Sequence, residues 1–439
     1  MSVLIKNKPA SIVIRITLIL VVAVLAAVLA IKLYGKRELD KAFGHLAKVS
    51  KETVPVGQSL NPGDQDAIVC IAAGAKSFVM DTPKIEKMKD YANVNKHPEL
   101  TSGQIAECES LLAESELTIK MIHKAEGMKS FAKPISSWGI TFLNNPDNAP
   151  QEMLVPSRLL SLEARLAWRK GDADSFVRSM NLLSKWMEAF NSDQQDPLMN
   201  QYSQIFGAIA ENRYMAILRE AVQAGFMAPD TASRILEAFP REDLKKHLHD
   251  HFIRIASRAG SDYPEPYNYF TDLREGYEGW RLYDFVLGDL ANARAMEYFL
   301  KTAEACDETY DKAEKDAPEG LFMPTFRGMK WQCDSYGRYI GNINATMAQR
   351  QIARACLSAI IERSRTGEWP SSSSLPADAD PCTCGQLKSE IKPDGSLKLS
   401  YPGMVKLCGP KSHKAWNWMI SEEWTIPASR EIPSTSPLL

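Results

Sequence analysis

The sequence lacks an excess of charge of either sign. It holds 52 lysines and arginines against 54 aspartates and glutamates, so it has neither an acidic tail nor the basic field that nucleic-acid-binding proteins use to attract phosphates. It also lacks a Gly-x-Ser-x-Gly elbow, a phosphate-binding glycine loop, a His-Glu-x-x-His motif and a dinucleotide fingerprint. The sequence therefore predicts no nucleic-acid partner and favours a protein without catalytic activity, although paired catalytic carboxylates would leave no motif.

One long hydrophobic run is present near the N-terminus. Between Ile16 and Ile31 every residue except Thr17 is apolar, and a basic residue stands at each end. Counted through Leu33, eighteen helical residues at about 1.5 Å each would extend roughly 27 Å, close to the thickness of a bilayer's hydrocarbon core. The run predicts a transmembrane helix within residues 1–34 and a membrane as the first partner.

The orientation of this helix is open to two interpretations. Three basic residues precede the run and four follow it, so the charge balance alone does not decide which side faces the cytoplasm. We expect an uncleaved signal anchor in the inner membrane, with the body on the extracytoplasmic, periplasmic side. The alternative is a cleaved signal peptide, because Val28-Leu29-Ala30 supplies small residues at cleavage positions and the mature chain would then begin at Ile31.

The rest of the chain predicts a mostly α-helical fold. A membrane-proximal helical region covers residues 35–131 and ends in a helix from Ser102 to Phe131, with Thr101 or Ser102 as its N-cap. Four prolines between residues 132 and 156 predict a long loop. A helical body then covers residues 157–366.

A helical hairpin opens this body. Its first helix is predicted from Ser157 to Lys170, and Gly171-Asp172 forms the turn. The second helix carries an apolar stripe with i, i+4, i+7, i+11 spacing, formed by Phe176, Met180, Leu183 and Met187, which indicates core packing. Further helices are expected at 198–224, 230–239, 241–259, 287–315 and 335–366.

The composition changes after Gly367. Proline, serine, cysteine and glycine become frequent, which predicts a small Cys-containing element over residues 367–426. A β-hairpin is expected there, with strands 387–391 and 397–401 around the turn Pro393-Asp394-Gly395. Residues 427–439 are expected to form a flexible tail.

Residues 346–403 carry a resemblance to known proteins. A long helix is followed by Gly367-Glu368-Trp369-Pro370, then by Leu375, Asp380-Pro381, Gly385 and Leu387, and finally by Leu399-Ser400-Tyr401-Pro402-Gly403. This pattern resembles the C-terminal region of uncharacterised, membrane-anchored helical proteins of planctomycete-type bacteria. It is also similar to the globular end of type II secretion pseudopilins.

The pseudopilin likeness has two departures. The processing site that pseudopilins carry before the anchor is missing here, and Met404-Val405-Lys406-Leu407 stands where their acidic calcium loop would follow. The resemblance to both groups implies an extracytoplasmic helical protein, with a role in secretion or pilus assembly as one alternative. It implies no catalytic residue.

Histidines suggest a candidate metal site. On a helix, Asp243, His247 and His251 have i, i+4, i+8 spacing and share one face, and two histidines with a carboxylate can bind zinc. A metal-dependent hydrolase is therefore a further alternative function. The competing interpretation is a solvated polar face beside Lys245 and Lys246.

Cysteines suggest a covalent crosslink near the C-terminus. The chain has eight cysteines, an even number compatible with disulfides outside the cytoplasm. A disulfide bridge from Cys408 to Cys382 or Cys384 is expected, because a short segment with a small core needs a covalent crosslink. With His413, the same three cysteines offer a Cys3His zinc site as an alternative. Cys356 is predicted to be a buried thiol.

An aromatic segment is the last candidate site. Tyr267, Tyr269, Tyr277 and Trp280 stand among carboxylates, a mixture that suits a glycan or peptide ligand. The competing interpretation is an irregular segment held to the body by its rings. The sequence as a whole predicts a single-pass envelope protein that scaffolds or binds a protein or glycan partner, with no required cofactor.

Overall fold

The structure of the protein is a computed structural model. It describes residues 8–49, 67–79, 81–94, 96–128, 149–191, 197–240, 279–305, 327–376, 386–401 and 423–428, together with single positions between 246 and 257. Of the described residues, 76% are helical, so the predicted fold class is confirmed. The helices are α1 (Lys8–Val49), α2 (Ala67–Ser77), α3 (Thr82–Tyr91), α4 (Ser102–Glu114), α5 (Glu116–His123), α6 (Ala149–Arg169), α7 (Ala173–Asn191), α8 (Pro197–Gln223), α9 (Pro229–Glu237), α10 (Gly279–Ala305) and α11 (Arg327–Thr366).

The chain divides into two compact units. The first comprises Met1–Val54, Leu248–Glu308 and Lys315–Gly337, and the second comprises Pro55–His247, Thr309–Glu314 and Arg338–Leu439. The first unit contains α1 and α10. The second contains α2 to α9, the C-terminal part of α11 and a small sheet.

The N-terminal half of α1 exposes an apolar surface. Its large apolar side chains between Val13 and Leu33 are exposed, for example Val22 at 58% and Leu25 at 62%. The most apolar stretch of the helix has a mean hydropathy of 2.9, and none of it is buried. In the part of the chain that the structure describes, one helix, near the N-terminus, is thus long and apolar enough to cross a membrane.

The C-terminal half of α1 packs against α10. Gly35 marks the closest approach, because a Cβ there would stand only 2.9 Å from the backbone nitrogen of Leu290. Further along both helices, His45 bonds Glu297 through Nδ1 at 3.2 Å and Glu304 through Nε2 at 3.0 Å. The contacts advance toward the C-terminus along both helices, from Gly35 with Leu290 to His45 with Glu297, so the two helices run parallel.

Three consecutive helices, α6 to α8, form the core of the second unit. The hairpin predicted around Gly171 is confirmed, and its stripe residues Phe176, Met180, Leu183 and Met187 are all fully buried. Trp186 is fully buried as well, and its indole nitrogen donates to the carbonyl of Met153 at 3.2 Å. The apolar spacing of α7 therefore packs that helix into the core, as a helix with one apolar stripe must.

Several helix boundaries differ from the prediction; α10 and α11, for example, each begin eight residues earlier than expected, at Gly279 and Arg327. The loop expected over residues 132–156 is partly helical, because α6 begins at Ala149; a proline in the first turn, here Pro150, removes no helical hydrogen bond. The helix expected from Ser102 to Phe131 is broken at Ser115 into α4 and α5. Its predicted start is confirmed, since Thr101 and Gln104 form a reciprocal capping box.

The small C-terminal sheet has three antiparallel strands in the order β1 (Lys388–Ile391), β2 (Leu397–Ser400) and β3 (Glu423–Ile426). The predicted hairpin is confirmed as β1 and β2, while β3 was not predicted. Trp424 pairs with Leu399 across the β2–β3 ladder, and both side chains are buried. Gly395 forms the hairpin turn with a φ of 79°, a left-handed conformation that favours glycine. The sheet joins the helical core through Leu397, Leu399 and Trp424.

Candidate functional site

A polar cleft in the second unit is the best candidate for a binding site. It has a volume of about 320 Å³ and is lined by residues of α7, of the turn after α5 and of the end of α9, namely Glu126, Val177, Arg178, Asn181, Arg234, Glu237 and Ala238. We call it the α7–α9 cleft. Its lining is mainly charged, with two guanidinium groups, two carboxylates and one amide.

Hydrogen bonds from α7 hold the walls of this cleft in place. Ser184 donates to the carbonyl of Ala238 at 2.9 Å, which fixes the end of α9. Lys185 donates to the carbonyls of Ala125 and Met128, which fixes the turn that carries Glu126. Burial lowers the pKa of Lys185, against the opposing attraction of nearby carboxylates. Both walls are therefore anchored to one rigid helix.

Two residues that line the cleft have buried polar atoms without partners among the described residues. The Nε of Arg178 and the Oδ1 of Asn181 are both buried and make no hydrogen bond among the described residues. Buried polar atoms are satisfied in the great majority of cases, because an unsatisfied one costs roughly 1–3 kcal/mol. The guanidinium of Arg178 uses only another nitrogen, Nη2, which donates to Ser175 at 2.8 Å. Because both atoms are buried, neither is open to a molecule in the cleft.

The rim of the cleft carries exposed charges. The side chain of Arg234 is 39% exposed and pairs with Asp174 at 2.7 Å. Glu126 and Glu237 are exposed as well. Charges of both signs thus surround the entrance, with neither in excess.

A serine, a glutamate and a histidine meet nearby, but their arrangement is structural. Ser179 donates to Glu163 at 2.7 Å, and His123 bonds the same carboxylate oxygen at 2.9 Å. In hydrolases the histidine contacts the serine and the carboxylate contacts the histidine, whereas here the carboxylate stands between them. Ser179 is fully buried, so no substrate reaches it.

A second polar group lies between α6 and α8, and we call it the Arg165 cluster. Arg165 is fully buried and donates to both carboxylate oxygens of Glu220 at 3.0 Å. It also donates to the carbonyls of Tyr91 and His97. Arg169 donates to Glu220 at 2.6 Å. Four hydrogen bonds from one guanidinium hold α6, α8 and the loop after α3 together.

The predicted metal ligands lie outside the described residues, since Asp243, His247 and His251 are among those the structure does not describe. Between these positions, the Nδ1 of His249 lies 3.4 Å from the Oδ1 of the adjacent residue Asp250. In the described part of the chain, no cluster of three or more histidine, cysteine or carboxylate side chains has the geometry of a metal site. The zinc site stays a prediction.

The predicted aromatic ligand site is described only in part. Tyr267, Tyr269 and Tyr277 fall outside the described residues, while Trp280 lies in the first turn of α10 with its side chain outside the described part. This site also stays a prediction.

Three of the cysteines whose side chains the structure describes are free thiols, namely Cys70, Cys108 and Cys356. Cys356 is fully buried, as predicted, and burial raises the pKa of its thiol. The predicted bridge partners Cys382, Cys384 and Cys408 lie outside the described residues, as does His413. The disulfide and its zinc alternative are therefore untested.

Sequence analysis did not find the α7–α9 cleft. Its lining comes from residues as far apart as Glu126 and Glu237, and no local motif links them. The one available signal was Arg178 and Asn181, polar residues one helical turn apart between the stripe positions of α7. Comparison of the chain with models of protein families, with curated proteins and with solved structures gives no match.

Proposed function

We propose that the chain is a single-pass inner-membrane protein whose helical body lies on the extracytoplasmic side and acts there as a non-catalytic binding or scaffold module. The exposed apolar half of α1 carries this proposal. Eleven of the sixteen residues from Ile16 to Ile31 are leucine, isoleucine or valine, and at roughly −0.3 to −0.6 kcal/mol each they favour insertion by about −3 to −6 kcal/mol. The same side chains gain no such free energy when they are exposed to water.

The α7–α9 cleft supports binding as the role of the body. It is lined by charged side chains from α7 and α9, while the described residues around it include no nucleophile in contact with a base. The metal-dependent hydrolase and the secretion or pilus-assembly accessory stay predictions from the sequence, because nothing in the described residues favours either.

Paired charge substitutions test the anchor. In Leu20→Arg/Val24→Arg two arginines enter the apolar half of α1, at a cost of roughly 5–7 kcal/mol for insertion, which offsets most or all of the gain that the run provides. We expect the native chain to stay in the membrane pellet after carbonate extraction and this variant to leave it.

The control places the same substitutions on the second unit, as Leu117→Arg/Val79→Arg. Leu117 is 67% exposed and Val79 is 79% exposed, against 60% for Leu20 and 61% for Val24, so exposure is matched and only the surroundings differ. The control should stay in the pellet. Release of the native chain by carbonate would refute the anchor.

Orientation is tested on the same membranes. Protease added to intact spheroplasts should digest the body, and digestion only after lysis would place the body in the cytoplasm. N-terminal sequencing of purified protein distinguishes anchor from cleaved signal, because a start at Ile31 would show that the anchor is removed.

A further inference from the structure

We propose that the first turns of α10, residues 279–288, enter the lipid–water interface of the membrane beside α1, so that the first unit contacts phospholipid through a second helix. We call these residues the α10 tip. This inference rests on the proposed function, because it requires α1 to be the membrane anchor. It is carried by the register between the two helices, by the depth that this register implies and by the sequence of the α10 tip.

The register between α1 and α10 is constant along their contact. The two carboxylate partners of His45, Glu297 and Glu304, lie 252 and 259 positions after it, and the interval from Gly35 to Leu290 falls between these values. Both helices rise by about 1.5 Å per residue, so the same interval applies toward their N-termini. At this register Tyr283, in the α10 tip, lies level with Val28 of the apolar run.

The face of α1 that meets α10 continues into the apolar run. Gly35 and Ala42 are buried on this face. Val28 and Lys32 precede them at helical spacing, and both are half-buried. Leu29 lies beside Val28 on another face and is 59% exposed. The shielding of Val28 but not of Leu29 indicates that the α10 side of α1 stays covered more than one turn inside the run.

The position of Val28 sets the depth of the α10 tip. The apolar run ends at Leu33, five residues further along α1, which corresponds to roughly 8 Å. Helices that lie in a membrane interface bury their apolar faces by about 5–10 Å, so the two depths agree. The tip has ten residues, half of the roughly 20 that a crossing requires. It therefore reaches the interface without spanning the bilayer.

The sequence of the α10 tip suits this location. From Trp280 to Leu287, six of the eight residues are aromatic or aliphatic, and the other two are Arg281 and Asp284. Tryptophan and tyrosine are enriched at membrane interfaces, because each has an apolar ring with one polar group. Charged side chains are tolerated there but are costly in the hydrocarbon core. Since the tip runs beside the exposed apolar surface of α1, phospholipid is the partner that reaches both helices.

Photo-crosslinking of the full-length chain in native membranes tests the proposal. The photoreactive residue p-benzoyl-L-phenylalanine replaces Leu282, Tyr283 or Phe285, one position at a time, and the irradiated protein is analysed by mass spectrometry. Successive helical residues are about 100° apart, so the three positions sample different faces of the helix. We expect a phospholipid adduct from at least one of them. If one replacement prevents folding, the other two positions decide the result.

A matched control uses Lys301, an exposed residue of the same helix. By the same register it lies roughly 20 Å beyond the end of the apolar run, so the photoreactive residue there should give no phospholipid adduct. The proposal would be overturned if all three tip positions gave adducts with protein only, or none. It would equally be overturned if Lys301 gave as much phospholipid adduct as the tip.

Failure of this inference is distinguishable from failure of the proposed function. The photoreactive residue at Leu25, which is 62% exposed in the apolar half of α1, reports on the anchor itself and should give a phospholipid adduct. An adduct at Leu25 but at no tip position would remove only the interfacial role of α10. No adduct at Leu25 would contradict the anchor, and the inference would fall with it.

Discussion

The Arg165 cluster and the α7–α9 cleft place arginines between helices of the same unit, yet they treat these arginines differently. Arg165 is fully buried and directs four hydrogen bonds to one carboxylate and two carbonyls. Arg178 makes one bond within its own helix, to Ser175, and keeps a buried nitrogen without an acceptor among the described residues. The hydrogen bonds of Arg165 therefore join separate elements of the fold, whereas that of Arg178 stays within α7.

This difference separates an arginine whose hydrogen bonds join several elements from one whose hydrogen bond stays within its own helix. Burying a guanidinium is costly, and the cost is offset only when carboxylates and carbonyls replace its water. The Arg165 cluster meets that condition internally, so its removal should affect stability. Arg178 does not meet it, so its substitution should leave the free energy of unfolding nearly unchanged.

The largest effect is expected from Glu220→Ala. This change removes the carboxylate shared by Arg165 and Arg169 and leaves buried charge uncompensated, which should lower the free energy of unfolding by about 3–5 kcal/mol. Urea titration in detergent, followed by the fluorescence of the buried tryptophans, measures it. The control Glu109→Ala breaks an exposed pair with Lys170 and should cost less than about 1 kcal/mol. Equal losses of unfolding free energy in both variants would contradict a stabilising role of the Arg165 cluster beyond that of an exposed ion pair.

An intermediate effect is expected from one substitution made in both regions. Arg165→Gln leaves the carbonyls of Tyr91 and His97 short of donors and should lower the free energy of unfolding by about 2–3 kcal/mol. Arg178→Gln removes a group whose Nε is unsatisfied and should cost less than about 1 kcal/mol. The same urea titrations measure both variants. If Arg178→Gln proved as destabilising as Arg165→Gln, the contrast between cluster and cleft would be lost.

The smallest effect is expected at Asp90, beside the loop that Arg165 holds. Hydrogen bonds from Lys96 and then His97 keep the pKa of Asp90 below its usual value of 3.8. A carboxyl group whose pKa is lower in the folded chain contributes stability above its unfolded pKa and loses it as the pH falls through the folded pKa. Asp90→Asn should therefore be less stable than the native chain at pH 7, and the difference should shrink below about pH 4. Urea titrations at both pH values check this, and a difference that persists at pH 2 would contradict the assignment.

Much of the fold was predictable because helices leave a periodic trace. The stripe of α7, the cap at Thr101 and the turn around Gly395 each depend on residues within a few positions of one another, so local sequence is sufficient. The break at Ser115 and the strand β3 were missed for a common reason. The sequence on both sides of Ser115 has a helical pattern, so the end of α4 there leaves no local signal. The strand β3 forms by pairing with β2, where its partner Leu399 is distant in the sequence.

The candidate site was not predictable from sequence. Glu126, Arg178 and Arg234 become neighbours only when α5, α7 and α9 pack, and nothing in their local sequence distinguishes them from residues on a solvated face. The histidine, cysteine and aromatic candidates depend on residue type and local sequence, and they lie outside the described residues or, at Trp280, outside the described side chains.

The sequence by itself determined the apolar character of α1 and the helical nature of the body, because hydrophobicity and periodicity are properties of neighbouring residues. Only the tertiary structure decided which charged residues join separate elements of the fold and which do not. The physical reason is that a buried polar atom is satisfied by partners distant in the chain, so a shortage of partners becomes visible only after the helices have packed.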